Sequence, residues 1–370
     1  MRSRGVHLEY TFHSDDQRGA DVHNPLFVLL NGLHEHGSIQ QAAHASGASY
    51  RHLWGALKHW EGVLGEPLVT WAQGQPARLT PFAERLLWAE KRARARLTPH
   101  IEALRAELER VLADALDGTQ QVLTVFASHD LALPLLRERA SAEQRLHIEL
   151  KFAGSMDALR ALAEGRCVVA GFHVPALAGT QHAFARQLKP LLKPGKHKLI
   201  GCTRRMQGLM VAPGNPLRLH GLADLAQAGV RFVNRQSGSG TRLLTEHLLA
   251  EQGLVPDGIA GFETAAAEDS HLAVAAAVAS GVADAGIGIE AAARRYGVDF
   301  VPLVEEAYFL VCLQDALEHP AVLKLRELLQ SAAWSQTVAK LPGYALDRSG
   351  EVLSLTRALP WWRFRAGKVA

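Results

Sequence analysis

The sequence predicts two unlike modules joined by a long helix, an α + α/β chain with a helical N-terminal module and a C-terminal α/β module. Three observations carry this reading. Residues 25–117 show mainly helical periodicity, whereas from Gln121 onward short Val-, Leu- and Ile-rich runs alternate with amphipathic helical stretches, the pattern of parallel α/β units. The change falls at Asp117-Gly118-Thr119, just past a long helical pattern. The 370 residues, 48% hydrophobic and 21% charged, suffice for two or three domains whose cores need no disulfide or metal.

Composition also excludes several classes of function. No run approaches the roughly 18 apolar residues of a membrane span, and the polar N-terminus lacks a secretory core, so a cytoplasmic protein without membrane contact is expected. Cys167, Cys202 and Cys312 are odd in number and far apart, which suggests neither a disulfide framework nor a zinc site. Eighteen histidines are scattered, and the densest group, His34-Glu35-His36, lacks the i, i+4 spacing of a helical metal pair. No metal and no cofactor are expected. A net charge of +3 is too mild to announce nucleic-acid binding by itself.

Taken in order, residues 1–24 read as a flexible leader and 25–37 as an apolar helix stopped by Gly37. Ser38 caps a second helix (SIQQAAHAS), its hydroxyl accepting from a free first-turn N–H. Gly47 permits a tight turn, and Ser49 caps a third helix, YRHLWGALKHWEGVLG. Ala43, Gly47, Leu53 and Ala56 fall where a helix-turn-helix needs a small contact, a turn glycine and two buried positions. Trp54 and Trp60 are read as core. Residues 65–81 give strand, Gly/Pro turn and strand: a wing. Residues 48–96 carry eight basic side chains against four acidic ones.

GSIQQAAHASGASYRHLW, followed by LGEPLV and RLTPFAERLL, resembles the winged helix-turn-helix of ModE-type regulators and, more distantly, of LysR-type ones. The resemblance covers about residues 25–115 and implies a DNA-binding domain over 25–81. It places Ser49, Tyr50, Arg51 and His52 in the major groove of an operator duplex. Arg51 suits a bidentate guanine contact, and Lys58 and Arg78 suit phosphates. A winged helix used for protein contacts is the alternative.

Residues 82–117 read as the linking helix, with a kink or fresh start near Thr98 because Pro99 follows. Leu97, Ile101, Leu104, Leu108, Val111 and Ala115 repeat at the spacing of a helix–helix seam. A homodimer through 97–115 is expected, with a tetramer or packing against the chain's own C-terminal domain as alternatives. Lys91, Arg92, Arg94 and Arg96 read as a solvated face.

In the C-terminal module, runs at 122–126, 146–150, 167–172, 208–212, 230–234 and 285–289 read as strands. Loops after them open helices: Ser128-His129, Gly154-Ser155, His173, and Ser237-Gly238-Ser239-Gly240-Thr241. Unpaired N–H groups and the positive helix-dipole end make such termini anion sites. The G-x-x-x-x-G-K-[ST] and GxGxxG patterns are absent, which disfavours ATP and NAD.

FAGSMDALRALAEG, AGFHVP, LMVAPGNP, RFVNRQSGSGTR and GVADAGIGIE together resemble the type II periplasmic-binding-protein fold. More narrowly, they are similar to the PBP-like domains of bacterial regulators and to molybdate- and tungstate-binding proteins. The resemblance implies a two-lobed effector-binding domain over 121–350, with lobe I at 121–205 plus 313–350, lobe II at 206–312, and crossings near 206–213 and 305–313. Residues 351–370 remain as a tail, with Trp361 and Trp362 expected to be buried. The implied ligand contacts are Ser128, Ser155, Arg235, Ser237, Ser239, Gly240, Thr241 and Tyr308. For Tyr308 a packing role on the crossover is the alternative. His173 donates when protonated or orients a loop, and Asp284 is a hinge or lobe-closing group. No nucleophile–base pair is evident, since Ser128 and His129 are only chain neighbours.

The function these expectations describe is a ligand-responsive transcriptional regulator, not an enzyme. Its partners are double-stranded DNA and a small anion, first molybdate or tungstate. The alternatives are a small organic acid such as formate in the same architecture, or a carrier or enzyme of molybdenum-cofactor metabolism.

Overall fold

The computed structural model describes residues 24–70, 77–116, 121–177, 183–263 and 267–362. The leader, the turn of the wing, the 117–119 break and the last eight residues lie outside them. The described chain divides into two compact units, one ending at Arg94 and the other beginning at Ala95, inside the long helix.

The first unit runs α1 (Asn24–His36), α2 (Ile39–Ser46), α3 (Tyr50–Leu64), β1 (Val69–Thr70), β2 (Arg78–Leu79) and the first turns of α4 (Pro81–Leu116). Its helix boundaries follow the capping chemistry. The Ser38 hydroxyl accepts from Gln41 N–H and the Ser49 hydroxyl from His52 N–H, each at 3.1 Å. Gly47 sits at φ +68°, a left-handed turn that a side chain would strain. β1 and β2 pair antiparallel, Thr70 opposite Arg78. Leu26, Leu30, Ile39, Leu57, Leu68 and Leu87 form the dry centre of this unit. The second buried position of α3 is therefore Leu57, one turn beyond Leu53, and the expected Ala56 is only half-buried. Trp60 is buried and Trp54 packs at the edge of the same core.

α4 is one continuous helix of 36 residues with Pro99 inside it, so the restart expected near Thr98 does not occur. Proline removes one N–H bond, and the turns on either side carry the helix through.

The second unit continues with β3 (Gln121–Ala127), α5 (Ala132–Gln144), β4 (Leu146–Phe152), α6 (Ser155–Ala163), β5 (Val169–Pro175), α7 (Ala183–Leu188) and β6 (His197–Val211). Then come β7 (Phe232–Val233), α8 (Gly240–Glu251), α9 (His271–Ala279), β8 (Ala285–Ile289), α10 (Glu290–Tyr296) and β9 (Asp299–Leu313). It closes with α11 (Pro320–Leu329), α12 (Ala332–Val338), β10 (Tyr344–Leu346), β11 (Val352–Ser354) and α13 (Leu355–Ala358).

These strands form one sheet in the order β4-β3-β5-β9-β6-β8-β7, with β10 and β11 also paired to β6. β3, β4 and β5 are parallel, whereas β6 and β9 run antiparallel to each other along 15 residues each. The long pair is the crossover that joins the two lobes. The first half of β6 and the second half of β9 pair within the β3–β5 lobe, while the opposite halves pair beside β8 and β7. The two halves meet where Arg205 stands opposite Glu306.

The strands expected at 208–212 and 305–313 are thus only parts of these crossovers. Charged residues in HKLIGCTRR and Pro302 in DFVPLVEE hide the other halves from a search for apolar alternation. On the pairing, β9 enters lobe I from Glu306 onward, ahead of the expected boundary at 312. The third strand is displaced to Val169–Pro175, and the expected 230–234 strand shrinks to two residues. Residues 351–362 are not a tail: Val352 pairs with Ile200 on β6, and Trp361 is buried in the lobe I core.

Candidate functional site

The site begins with charged residues buried at the crossover. Arg205 on β6 is 3% exposed and clamped between two carboxylates, with Nη1 2.7 Å from Asp130 Oδ2 and Nε 2.6 Å from Glu306 Oε1. The Tyr344 hydroxyl from β10 donates to the same Asp130 oxygen at 2.9 Å, and Asp130 Oδ1 accepts from Ala132 N–H at the start of α5. Burial alone would raise the Asp130 carboxyl, but Arg205 and His173 outweigh it and hold the group well below its ordinary value. Glu306 is lowered in the same way, burial being overcome by Arg205 and His173.

Above this ion cluster lies a cavity of about 400 Å³. Three helix beginnings reach it, Gly154-Ser155 at α6, Ser239-Gly240-Thr241 at α8, and Asp269 with His271 at α9, and the Ser128-His129 segment after β3 joins them. Their first-turn N–H groups give the walls a positive field. The Gly154 cap of α6 brings no side-chain bond to its first turn, whereas Ser239 spends its hydroxyl accepting from Arg242 N–H at 3.2 Å.

Arg235 supplies the cation. It is 6% exposed, and its guanidinium donates to two backbone carbonyls, Glu268 O at 3.1 Å and Asp269 O at 2.7 Å. Among the described residues no carboxylate oxygen forms an ion pair with it. Burial, with Arg205 nearby, lowers its pKa to about 10 despite Asp269 and Glu268. A buried cation whose carboxylate neighbours make no direct bond to it favours a further negative charge beside it.

Three imidazoles border the cavity. Burial, Arg235 and Arg205 together hold His271 well below its ordinary value, and it faces Arg205 Nη2 at 3.4 Å. Arginine only donates, so His271 Nε2 accepts and the ring is neutral. His129 is lowered to about 4 by burial and by Arg235. His173 places Nδ1 2.7 Å from Ser128 Oγ and Nε2 3.4 Å from Asp130 Oδ2.

Most of the residues singled out from sequence are brought together. Ser128, Ser155, Arg235, Ser237, Ser239, Gly240 and Thr241 line one cavity. Tyr308 does not. It lies under the floor, 1% exposed, with its hydroxyl donating to the Ser128 carbonyl at 3.3 Å. Gly171 makes room for that phenol, since a Cβ there would collide with the Tyr308 hydroxyl. The packing alternative for Tyr308 is the correct one. Asp284 is not among the cavity-lining residues and pairs with Arg231 at 2.7 Å.

Sequence reasoning missed Asp130, Arg205, Gln207, Asp269, His271 and Glu306, which come from strand interiors, unremarkable loops and, for His271, the start of α9, and are brought together by the crossover. It also missed the Ser128–His173 hydrogen bond, a serine–imidazole contact between residues that are not chain neighbours. The Asp130 carboxylate behind that imidazole also accepts from Arg205 and Tyr344.

The same unit carries the later turns of α4. Pro99 and His100 line the cavity, and Arg96 makes a two-pronged bond to Glu268 at 2.8 and 2.7 Å. Arg96 is therefore not part of a purely solvated face, and Arg94 pairs with Glu90. Leu97, Leu104, Leu108 and Val111 are 40–54% exposed, an uncovered apolar seam, with Ile101 half-buried beside them.

In the first unit, Ser49, Tyr50, Arg51 and His52 are exposed together on the first turn of α3, and Arg78 is exposed on β2. Lys58 is less available than expected: it pairs with Glu61 at 2.6 Å and lies over the Trp54 ring.

Comparison with known proteins places this architecture. Residues 136–330, more than half of the chain, match the PBP superfamily domain. The chain is 33% identical to the uncharacterized protein YvgK of Bacillus subtilis (strain 168) over 241 residues, 64% of this chain and 75% of that one. It is 34% identical over 113 residues to an uncharacterized protein in the ferredoxin 2Fe-2S gene 5' region of Clostridium pasteurianum, covering 30% of this chain and 97% of that one. Among solved structures, a hydrogen-peroxide-bound OxyR mutant of Corynebacterium glutamicum aligns at 17% identity and TM-score 0.42, over 85% of this chain and 93% of that one. CbnR in complex with its target DNA aligns at 15% identity and TM-score 0.41, over 82% and 97%. The cavity-bearing unit, with its paired crossovers and its match over 136–330, belongs to the PBP superfamily-domain family.

Proposed function

We propose that the protein is a ligand-responsive DNA-binding regulator whose cavity takes up a small anion. The observation that carries the reading is Arg235, a buried guanidinium without a carboxylate partner among the described residues, set among converging helix N-termini. The anion pairs directly with Arg235, and Ser155, Ser237 and the first turns of α6 and α8 supply donors around it. Molybdate or tungstate heads the list, on the sequence resemblance to oxyanion-binding proteins. Cavity volume favours a second reading, a small organic acid. Four oxygens at ~30 Å³ each, a water's share of liquid volume, occupy about 120 Å³, against a cavity of about 400 Å³.

Signal transfer has a physical route. Arg235 and Arg96 both bind Glu268, the first through its carbonyl and the second through its carboxylate. An anion that shifts Arg235 thereby acts on α4, whose exposed seam we assign to a second copy of the chain. A two-fold dimer would present two copies of α3 to two operator half-sites. Arg51 reads guanine, and Arg78 holds phosphate.

The test is fluorescence anisotropy on DNA from upstream of the protein's own gene, titrated with salt and with the anion. The reading predicts affinity that falls steeply with salt, responds to the anion, and is lost in Arg51→Ala while anion binding remains. Salt-independent or absent DNA binding in the wild type would overturn it.

A further inference from the structure

The hydrogen bond between Ser128 and His173 has a fixed polarity. Among the described residues His173 Nε2 pairs with acceptors, Asp130 Oδ2 at 3.4 Å and Glu306 Oε1 at 3.9 Å, so it carries the proton. Nδ1 is then a bare acceptor, and the Ser128 hydroxyl, 2.7 Å away, must donate to it. With its only proton committed inward, Ser128 Oγ presents lone pairs alone to the cavity. That is the wrong polarity for an anion.

We propose that the cavity binds its anion together with one proton, His173 being the proton's site and Ser128 the hydroxyl it redirects. This rests on the reading of the cavity as an anion site. A proton from solvent adds to His173 Nδ1, giving an imidazolium whose Nε2–H still donates to Asp130. Its new Nδ1–H donates to Ser128 Oγ, which frees the Ser128 O–H to rotate and donate to the anion. No bond other than the N–H forms, and the added positive charge balances the anion's.

The surroundings suit such a coupling. His173 stands between Arg205 of β6, which disfavours its protonation, and Asp130 and Glu306, which favour it, with the Tyr308 ring 4.4 Å away centroid to centroid. His100, His129, Asp157, Arg235, Asp269 and His271 complete the titratable and charged groups that line the cavity. Burial and Arg205 keep His173 below its ordinary 6.5, so at neutral pH it is uncharged and able to take up a proton. An anion replaces part of the lost solvation and raises that value.

Calorimetry with sulfate, molybdate and formate on the full chain, in buffers of different ionisation heat, tests this. Binding should take up close to one proton per anion at neutral pH. Affinity should fall about tenfold per pH unit as the pH rises between the free and bound values of His173. His173→Gln should bind without proton uptake. Should that variant not fold, the ring ¹⁵N shifts of His173 in the wild type must change from a neutral tautomer to imidazolium on adding anion. Binding with no net proton transfer between pH 5.5 and 8, or uptake that persists in His173→Gln, overturns the proposal and leaves the anion site intact. Absence of binding by every probe overturns the anion site as well.

Discussion

Replacing Arg235 with methionine separates a binding residue from a structural one, because the two roles predict opposite changes in stability. The guanidinium is 6% exposed and its pKa is lowered to about 10, chiefly by burial. At 1.36 kcal/mol per pKa unit, keeping the charge there costs the empty protein about 3 kcal/mol. Against this stand two donated hydrogen bonds, to Glu268 O and Asp269 O, at about 0.5–1.5 kcal/mol each. Arg235→Met should therefore leave the ligand-free protein within about 2 kcal/mol of wild type, on either side. Anion binding should suffer far more. Losing charge-assisted bonds and the cation that balances the ligand removes about 3–5 kcal/mol, or two to three and a half decades of affinity. Thermal unfolding with and without added anion reads both quantities. A variant that unfolds well below wild type without ligand, yet keeps the full anion-induced shift, would refute the reasoning.

The remaining predictions use the same assay or a close relative. Arg205→Met leaves Asp130 and Glu306 buried and unbalanced, so stability should fall by about 3–5 kcal/mol and Tm by on the order of 10 °C; a Tm within ~2 °C of wild type would contradict the clamp. Arg96→Gln breaks the bond from α4 to Glu268, so anion binding should persist while the response of DNA affinity to anion is lost; an unchanged response in anisotropy counts against this route. His129 has a folded pKa of about 4 against 6.5, so its contribution is present above 6.5 and is lost as pH falls toward 4. Of the acid destabilisation in that window about 3 kcal/mol belongs to it, and His129→Gln should flatten the pH profile of urea midpoints.

Local chemistry explains what the sequence revealed. Caps at Ser38 and Ser49 and the turn at Gly47 are decided within a few residues, and the helices of the first unit stand where those residues put them. The Gly/Ser loops after strands were legible for the same reason, which is why Ser128, Ser155, Arg235 and the 237–241 segment lie on one cavity. Long-range pairing was not legible. Arg205 and Glu306 are separated by 101 residues and meet only because β6 and β9 pair along their whole length. Nothing near either one marks it as buried. Tyr308 was misplaced for a related reason: residues alternate across β9, and Gly171 on the neighbouring strand opens a pocket for the phenol beneath the floor.

The measurement closest to the central claim is thermal unfolding of the full chain with molybdate, tungstate, sulfate, phosphate, formate and larger organic acids, each in excess. An anion at 100 times its Kd stabilises the folded state by about 2.7 kcal/mol, which for a protein of this size raises Tm by about 3–5 °C. The account predicts such a shift for at least one anion in the wild type and its loss in Arg235→Met. An unmoved transition across the whole panel would contradict the assignment of the cavity to an anion.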